Sequence, residues 1–409
     1  MIRRIVIKNF KSLTNVEVNL GAFTVLIGRN GAGKSAFLQA LSVLSWLVRY
    51  KSINETFERE KVSFNDLVSL KAHCRQVYWA CDVEVATGGE APVMMNYNAA
   101  IGKRHYVHVD TEFARPSTSE NVPKALEAGM PALGRISRHL AVAAEGAETL
   151  EYKGAVIAHS LLQEVGEQTL FGNAKFPVLG ALARELAGFR HYQIWGPETL
   201  RNESSGKETA LSEKGQNLPS VIADLKARRS ELGSYDQLLT EMRSAYSWLD
   251  DIEVRHFPAG EVGLIFLEKP EAGSKRRLKY LPNQVSDGFL RLLALTALRY
   301  QRGKVSILGY EEPENGLHPQ LLEQSVSQLR KIAESGTQVI VTTHSPYLLD
   351  YLMDAPEGKL KADLIVVVRG KDGATKILPV SEKKIAEARA QGIRAGELWS
   401  LLVDERELT

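Results

Sequence analysis

The chain has 409 residues, of which 44% are hydrophobic and 24% charged. This length predicts two or three domains or lobes built around sizeable cores. Lysine and arginine (51) nearly balance aspartate and glutamate (49), and the net charge of +2 excludes a strongly basic nucleic-acid coat protein while allowing local basic patches. Two cysteines, Cys74 and Cys81, exclude a disulfide framework, so we predict reduced structural thiols.

The amino-terminal segment MIRRIVIKNF has no long apolar core followed by a small-residue cleavage site. No stretch of about 18 apolar residues without charge occurs anywhere in the sequence. We therefore expect a soluble cytoplasmic protein that makes no membrane contact.

The first elements in the chain are strands. Alternation of apolar and polar residues predicts two antiparallel strands around residues 5–7 and 16–20, followed by a buried strand at 23–27. Gly28 ends this strand, and the apolar residues of 37–47 then recur at helical spacing. Three further β-rich runs are typical of an antiparallel meander, at residues 77–85, 93–101 and 104–109.

The remaining chain predicts two more segments, so that the boundaries are 1–114, 115–250 and 251–409. Residues 115–250 have helical periodicity interrupted by glycines, which favours a helical insertion over a long coiled coil. Beyond it, strands are expected at 252–257 and 262–267. Short apolar runs then alternate with helices, which predicts a parallel sheet covered on both faces, at 305–308, 338–342 and 364–368.

Residues 28–35, GRNGAGKS, fit the pattern G-x-x-x-x-G-K-S between a predicted strand and a predicted helix. In such a loop the backbone N–H groups and the helix N-terminus bind phosphate oxygens. Lys34 is expected to reach the β- and γ-phosphates and Ser35 to hold Mg²⁺. We therefore expect the whole loop to bind a nucleoside triphosphate, through Gly28, Arg29, Asn30, Gly31, Ala32, Gly33, Lys34 and Ser35.

Two carboxylates follow the apolar run at 305–308. A pair of glutamates alone also fits a solvated loop, but beside a phosphate-binding loop it favours catalysis. We expect Glu311 to contact Mg²⁺ through water and Glu312 to act as general base. His344 follows the strand predicted at 338–342 and is expected to bind the γ-phosphate or orient the attacking water. Lys34, Glu312 and His344 are thus the predicted catalytic residues.

Four segments resemble, in order, the Walker A, signature, Walker B with D-loop and His-switch motifs of ABC-type ATPases: 28–35, 285–291 (VSDGFLR), 311–319 (EEPENGLHP) and 342–345 (TTHS). The chain is most similar to the RecF/SMC/Rad50-like branch, in the compact AAA15/AAA21, OLD-like group without a Toprim nuclease domain. The resemblance implies an α/β P-loop NTPase fold with an ABC-type ATPase head. Such a head has a mixed central sheet flanked by helices and an antiparallel N-terminal β-subdomain.

The resemblance also implies a mechanism shared between two protomers. In this family the signature of one protomer closes over ATP held by the P-loop of the other, in a head-to-tail dimer. Ser286 and Gly288 are therefore expected to touch the γ-phosphate in trans. Similarity to the N-terminal motif of Rad50 and SMC places Lys11 and Ser12 near the phosphates, although an ordinary strand-end loop is the alternative for this short motif.

Three features of the motifs depart from the commonest family pattern or stay open. The Walker B position usually occupied by aspartate is Glu311, which is one methylene longer. The signature begins Val-Ser-Asp-Gly, which is typical of the RecF/SMC side and points away from transport. Gln76 and Gln168 are both candidates for the Q-loop glutamine.

The biological role is left with two main alternatives. One is a RecF/Rad50-like ATPase that binds double-stranded DNA in repair or processing, supported by basic residues in two segments: Lys226, Arg228, Arg229, Lys269, Lys275, Arg276, Arg277 and Lys279. The other is an ATP-gated sensor or scaffold that controls a separate effector, such as a nuclease, in bacterial anti-phage defence. Near-neutral charge and the lack of a long coiled coil favour the second. The chain itself is not expected to be a nuclease, since no D-x-D with an upstream glutamate follows the last ATPase strand.

Overall fold

The structure is a computed structural model that describes residues 1–49, 53–71, 76–86, 92–102, 107–113, 141–142, 177–194, 196–270, 276–303, 305–355 and 358–407. The chain divides into two compact units. The first comprises Met1–Phe189, Ala362–Ile393 and Glu397–Thr409, and the second comprises Arg190–Lys361 and Arg394–Gly396.

An antiparallel sheet occupies the amino-terminal part of the first unit. Its strand order is β2-β1-β4-β5-β6-β7, and each neighbouring pair is antiparallel. The strands are β1 (Ile2–Phe10), β2 (Leu13–Asn19), β4 (Gln76–Val85), β5 (Val93–Gly102), β6 (Val107–Phe113) and β7 (Ala141–Val142). The predicted antiparallel N-terminal subdomain is confirmed. Cys81 of β4 is a buried free thiol, whereas Cys74 lies outside the described residues.

The first unit also contains strands of a mixed sheet. β3 (Phe23–Ile27) is parallel to β14 (Asp363–Arg369), and β14 is antiparallel to β15 (Thr375–Pro379). All five residues of β3 are buried. The helices of this unit are α1 (Lys34–Arg49), α2 (Ile53–Glu60), α3 (Phe64–Leu67), α4 (Pro177–Ala187), α12 (Glu382–Ala390) and most of α13 (Ala395–Glu407).

The second unit begins at β8 (Phe189–Tyr192), whose first residue belongs to the first unit. Helices follow at α5 (Pro197–Arg201), α6 (Leu218–Ala227), α7 (Arg229–Leu232) and α8 (Ser234–Ala245). β9 (Leu249–His256), β10 (Val262–Glu268) and β11 (Lys279–Tyr280) then form an antiparallel sheet with β10 in the centre.

The carboxyl-terminal half of the second unit has the α/β alternation that the sequence predicts. It contains α9 (Asp287–Tyr300), β12 (Ile307–Glu311), α10 (Leu322–Glu334), β13 (Gln338–Thr343) and α11 (Pro346–Met353). β12 is fully buried, as expected for a strand covered on both faces. β12 and β13 are parallel, with Glu311 opposite Thr342, so both strands end at the same edge.

The ABC-type α/β fold with a mixed sheet flanked by helices is confirmed. Residues 115–140 and 143–176 of the predicted helical insertion lie outside the described residues. Its described remainder contains α4–α8, but also the strands β7 and β8, which helical periodicity did not indicate. The division at 114 and 250 remains a prediction. None of the helices in the described part of the chain combines the length and hydrophobicity that crossing a bilayer requires.

Candidate active site

The loop between β3 and α1 depends on glycine at defined positions. Gly31 and Gly33 have φ values of +77° and +115°, a region that side chains disfavour. A Cβ on Gly33 would lie 2.2 Å from Thr375 Oγ1, and one on Gly28 would lie 2.2 Å from the Val367 carbonyl oxygen. The loop is therefore packed closely against β14 and β15, and only glycine fits at these two contacts.

Lys34, the first residue of α1, is almost completely buried. Its Nζ donates hydrogen bonds to the carbonyl oxygens of Gly28 (2.6 Å) and Arg29 (3.2 Å). The ammonium group thus lies inside the loop, on its own backbone carbonyls. Burial strengthens its attraction for an anion, since the surrounding dielectric constant is low.

Ser12 and Lys11 occupy different surroundings in the first unit. The Thr375 hydroxyl lies 2.8 Å from both Ser12 Oγ and the Ala32 carbonyl oxygen. Thr375 therefore bridges Ser12 and the P-loop. Lys11 has a left-handed backbone (φ +47°), and its Nζ donates to Gln39 Oε1 on α1 at 2.5 Å. Burial lowers the pKa of this ammonium group.

Glu311 is the last residue of β12, and its side chain is only 1% exposed. Its Oε1 lies 2.7 Å from His191 Nε2 and accepts a hydrogen bond from Gln193 Nε2 at 3.2 Å. Both partners belong to β8 or follow it directly. A buried carboxylate at a strand end needs such donors, because desolvation otherwise makes its charge costly.

Glu312 has a left-handed backbone (φ +45°), which is strained for a residue with a side chain. Its N–H donates to the Thr342 carbonyl oxygen at 2.9 Å. Asn315 Nδ2 donates to its Oε2 at 2.8 Å, and His344 Nδ1 lies 3.1 Å from its Oε1. The strained turn after β12 thus directs Glu312 away from its neighbour Glu311 and holds it beside His344.

Glu314 links the D-loop to the segment around His344. Its Oε1 accepts hydrogen bonds from Thr343 Oγ1 (2.5 Å) and from the His344 N–H (3.2 Å). Its Oε2 is buried without a hydrogen-bond partner among the described residues. Burial raises the pKa of this carboxyl group, and the hydrogen bonds it accepts oppose this increase only in part.

The signature segment packs against the D-loop of the same unit. Ser286 is the N-cap of α9, and its Oγ accepts a hydrogen bond from the Phe289 N–H at 3.2 Å. A Cβ on Gly288 would lie 3.2 Å from the Gly316 carbonyl oxygen. Arg291 Nη1 donates to the Asn315 carbonyl oxygen at 2.6 Å. Movement of the D-loop therefore affects the start of α9 directly.

Two family models match the chain. A model described as an AAA ATPase domain matches residues 1–77. A second, described as "AAA domain, putative AbiEii toxin, Type IV TA system", matches residues 208–350. The first match includes the P-loop, and the second includes the signature, Walker B and His-switch segments. The chain thus matches AAA ATPase-domain models over both of the segments that carry its recognised motifs.

A solved SMC head has a similar fold. The crystal structure of an SMC head bound to the C-winged helix domain of ScpA matches with a TM-score of 0.54 and 13% identity, over 94% of this chain and 99% of that chain. An SMC head from Thermotoga maritima (0.45, 12%, 93% and 99%) is also similar. So is a Pyrococcus furiosus head with an extended coiled coil, bound to the C-terminal domain of ScpA (0.46, 13%, 95% and 98%). No curated protein matches the sequence.

The predicted site residues of this ATPase form two groups. The P-loop, Lys11 and Ser12 lie in the first unit, and the second unit contains Glu311, Glu312, His344, Ser286 and Gly288. Sequence analysis missed four residues that contact them, namely Thr375, His191, Gln193 and Glu314. Only Glu314 lay within a recognised motif, EEPENGLHP, where it could have been found. Of the Q-loop candidates, Gln76 begins β4 and Gln168 lies outside the described residues.

Five of the eight basic residues named in the sequence analysis are paired with carboxylates. The ion pairs are Lys226–Asp251 (3.1 Å), Arg228–Asp224 (2.5 Å), Arg229–Asp236 (2.6 Å), Arg277–Asp250 (2.8 Å) and Lys279–Glu253 (2.8 Å). Lys275 lies outside the described residues. The positive charge that sequence analysis offered as a DNA-binding surface is thus largely balanced locally.

Proposed function

We propose that this ATPase binds ATP with Mg²⁺, hydrolyses it, and uses ATP-dependent dimerisation to control a separate effector protein. The observation that carries hydrolysis is the geometry of Glu312. Its carboxylate is held by Asn315 on one oxygen and by His344 on the other, at the end of a buried strand. A strained backbone that fixes a carboxylate in this way is typical of a catalytic position.

The donor set fits a nucleotide with Mg²⁺. Magnesium prefers hard oxygen ligands, which a serine hydroxyl and a carboxylate provide. Ser35 stands in the first turn of α1, and Glu311 is a buried carboxylate whose Oε1 is held by two N–H donors. We propose that Ser35 and Glu311 hold Mg²⁺, Glu311 through water, and that the metal neutralises phosphate charge.

The residues of the chain have separate roles in the proposed reaction. The backbone N–H groups of residues 28–35 bind the phosphates, and the Lys34 ammonium group exchanges its backbone carbonyls for β- and γ-phosphate oxygens. Glu312 orients the attacking water and accepts its proton, and His344 fixes Glu312 and binds near the γ-phosphate. Lys11 and Ser12 are proposed to support the phosphates from the loop between β1 and β2.

We propose that hydrolysis is completed by a second copy. Ser286 and Gly288 stand at the N-terminus of α9, where the helix dipole and backbone N–H groups favour a phosphate. Their proposed contact is with the γ-phosphate of the partner protomer in a head-to-tail homodimer. Ser286→Arg is expected to bind ATP yet neither dimerise nor hydrolyse it. Mass photometry and ATPase assays, with Ser381→Arg at the N-cap of α12 as control, test this; full activity of Ser286→Arg would contradict it.

Control of an effector is favoured over DNA binding because five of the eight candidate basic residues are ion-paired. The name of the AAA family model that matches 208–350 refers to a putative toxin of a toxin–antitoxin system, which supports a role in bacterial anti-phage or toxin-like defence. The SMC head of the same fold was solved with a separate protein, ScpA, bound to it. We propose that the chain acts in the cytoplasm and holds an effector, such as a nuclease, in an ATP-dependent manner.

Steady-state ATP hydrolysis with and without linear double-stranded DNA at moderate salt separates the two roles. The proposed scaffold predicts a low rate that DNA does not change, with Glu312→Gln as the inactive background. Strong stimulation by DNA would instead support the RecF/Rad50-like alternative. A protein that co-purifies with Glu312→Gln in ATP, but not with Lys34→Ala, would identify the effector.

A further inference from the structure

The buried carboxylate of Glu311 is anchored by side chains that belong to none of the recognised motifs. His191 Nε2 lies 2.7 Å from Glu311 Oε1, with the two side chains 6% and 1% exposed. Gln193 Nε2 donates to the same oxygen at 3.2 Å. His191 lies in β8, and Gln193 directly follows the last residue of that strand.

The direction of both hydrogen bonds follows from the chemistry of the groups. A carboxylate oxygen accepts, so His191 must have its proton on Nε2 in order to approach at 2.7 Å. Gln193 must present its NH₂ group, because its carbonyl oxygen would repel the carboxylate. The 3.1 Å contact between His191 Nε2 and Gln193 Nε2 then joins two donors that share one acceptor. The two hydrogen bonds thereby fix the orientation of the Glu311 carboxylate.

The anchoring strand is itself rigidly placed within the second unit. β8 is the neighbour of β12 in the sheet, so His191 and Glu311 lie on adjacent strands, and Gln193 directly follows β8. The Gln193 N–H donates to the Glu213 carbonyl oxygen at 2.8 Å, and Tyr192 OH donates to that of Leu211 at 3.1 Å. The rings of Tyr192 and Tyr310 stack at 6.4 Å between centroids. The position of the donors is thus determined by buried packing.

The two hydrogen bonds to Glu311 compensate for the presence of glutamate where the Walker B position usually has aspartate. A glutamate has one more rotatable bond, so its carboxylate is less well placed for a metal unless other groups hold it. We propose that His191 and Gln193 are positioning residues of the Walker B carboxylate, and that they set the Mg²⁺ concentration at which this ATPase binds its nucleotide with metal. The proposal rests on the function proposed above.

The test measures metal-dependent nucleotide binding, which does not require hydrolysis. In the Glu312→Gln background, Mg²⁺ is titrated against a fluorescent ATP analogue for the parent, His191→Phe and Gln193→Leu. Loss of a residue that orients a metal ligand typically weakens metal affinity about 10–100-fold. The Mg²⁺ midpoint is therefore expected to rise about 10-fold or more. Binding in excess chelator is expected to stay unchanged, since the P-loop provides it.

Matched variants separate positioning from a purely structural role. His256→Phe, at an exposed histidine of β9, is expected to leave the midpoint unchanged. In a Glu311→Gln background, His191→Phe is expected to shift the midpoint no further, because its effect acts through Glu311. If His191→Phe does not fold, Gln193→Leu, at a half-buried position, carries the same test.

Three outcomes would overturn the proposal. One is an unchanged Mg²⁺ midpoint in both variants when their melting temperatures equal that of the parent. Another is a shift of the same size in the Glu311→Gln background. A parent that binds no ATP analogue at any Mg²⁺ concentration would overturn the proposed function, and this inference with it. Parent binding with unshifted variants would overturn the inference alone.

Discussion

The predicted site residues form two groups, a phosphate-binding half in the first unit and an acidic half in the second unit, and the two groups are built differently. The P-loop is one run of eight residues. It is closed by hydrogen bonds between residues that are close in sequence, such as the bond from Lys34 Nζ to the Gly28 carbonyl oxygen. The acidic half is assembled across the chain, since His191 and Glu311 are 120 positions apart and Thr343 and Glu314 are 29 apart. Local glycine geometry thus shapes the first half, and tertiary packing shapes the second.

The sharpest test of the acidic half is Glu312→Gln. The amide keeps the shape of the side chain but cannot accept a proton, so kcat is expected to fall about 10²–10⁴-fold. ATP affinity is expected to be retained, since the P-loop provides it. Single-turnover hydrolysis and nucleotide binding measure the two quantities. Glu323→Gln, at an exposed position of α10, serves as control, and unchanged turnover in Glu312→Gln would remove this residue as the base.

Lys34→Ala tests the phosphate-binding half. It removes a buried ammonium group whose hydrogen bonds to phosphate are each worth about 1.5–3 kcal/mol. ATP affinity is therefore expected to fall about 10–100-fold. Isothermal titration calorimetry measures this, with the exposed Lys383→Ala of α12 as control. Retained affinity would contradict the assignment of the P-loop.

Two glycine substitutions test whether local conformation or packing dominates in the P-loop. At Gly31 an added Cβ meets nothing within 4 Å. Gly31→Ala is therefore expected to lower the free energy of unfolding only by the strain of a left-handed backbone, about 1–2 kcal/mol. At Gly33 the Cβ also collides with Thr375, which adds about 1–3 kcal/mol. Urea unfolding compares the two. Equal losses would show that the contact with β15 is unimportant.

The smallest effect is expected from Glu314→Gln. The folded-state pKa of this carboxyl group is raised by burial, so the folded state holds its proton to higher pH than the unfolded state does. Stability is therefore lost as pH rises from the unfolded pKa through the folded one, and the loss is complete above it. Glu314→Gln has no carboxyl group at this position, so its free energy of unfolding is expected not to show this decrease with pH. Unfolding free energies of both proteins across the acid range measure it, and parallel pH profiles would contradict it.

Much of the fold and part of the site could be predicted from the sequence. Glycines and a lysine at fixed spacing define the P-loop because they act through backbone conformation within a single turn. Alternation of apolar and polar residues indicated β1, and continuous apolar runs indicated β3 and β12. These patterns also act over a few consecutive residues. The strand β8 was missed because FRHY is only four residues long and lies in a segment of helical periodicity. His191 of this strand and Gln193 directly after it were missed for the same reason.

The basic residues between 224 and 280 show the limit of composition most clearly. In the sequence Arg228 and Lys279 count as positive charge available to DNA, whereas in the fold they meet Asp224 and Glu253. Charge patterning along a chain does not reveal which carboxylate folds against which lysine. The ion pairs, which only the fold reveals, therefore favour control of an effector over DNA binding.

The sequence by itself determined the resemblance to ABC-type ATPases, the P-loop motif and the identity of the acidic and histidine residues that follow β12 and β13. It did so because these features depend on backbone geometry and order along the chain. The tertiary structure alone decided that His191 and Gln193 hold Glu311, that Thr375 packs against Gly33, and that five of the basic residues pair with carboxylates. Each of these is a contact between distant segments, and such contacts exist only once the chain buries its strands together.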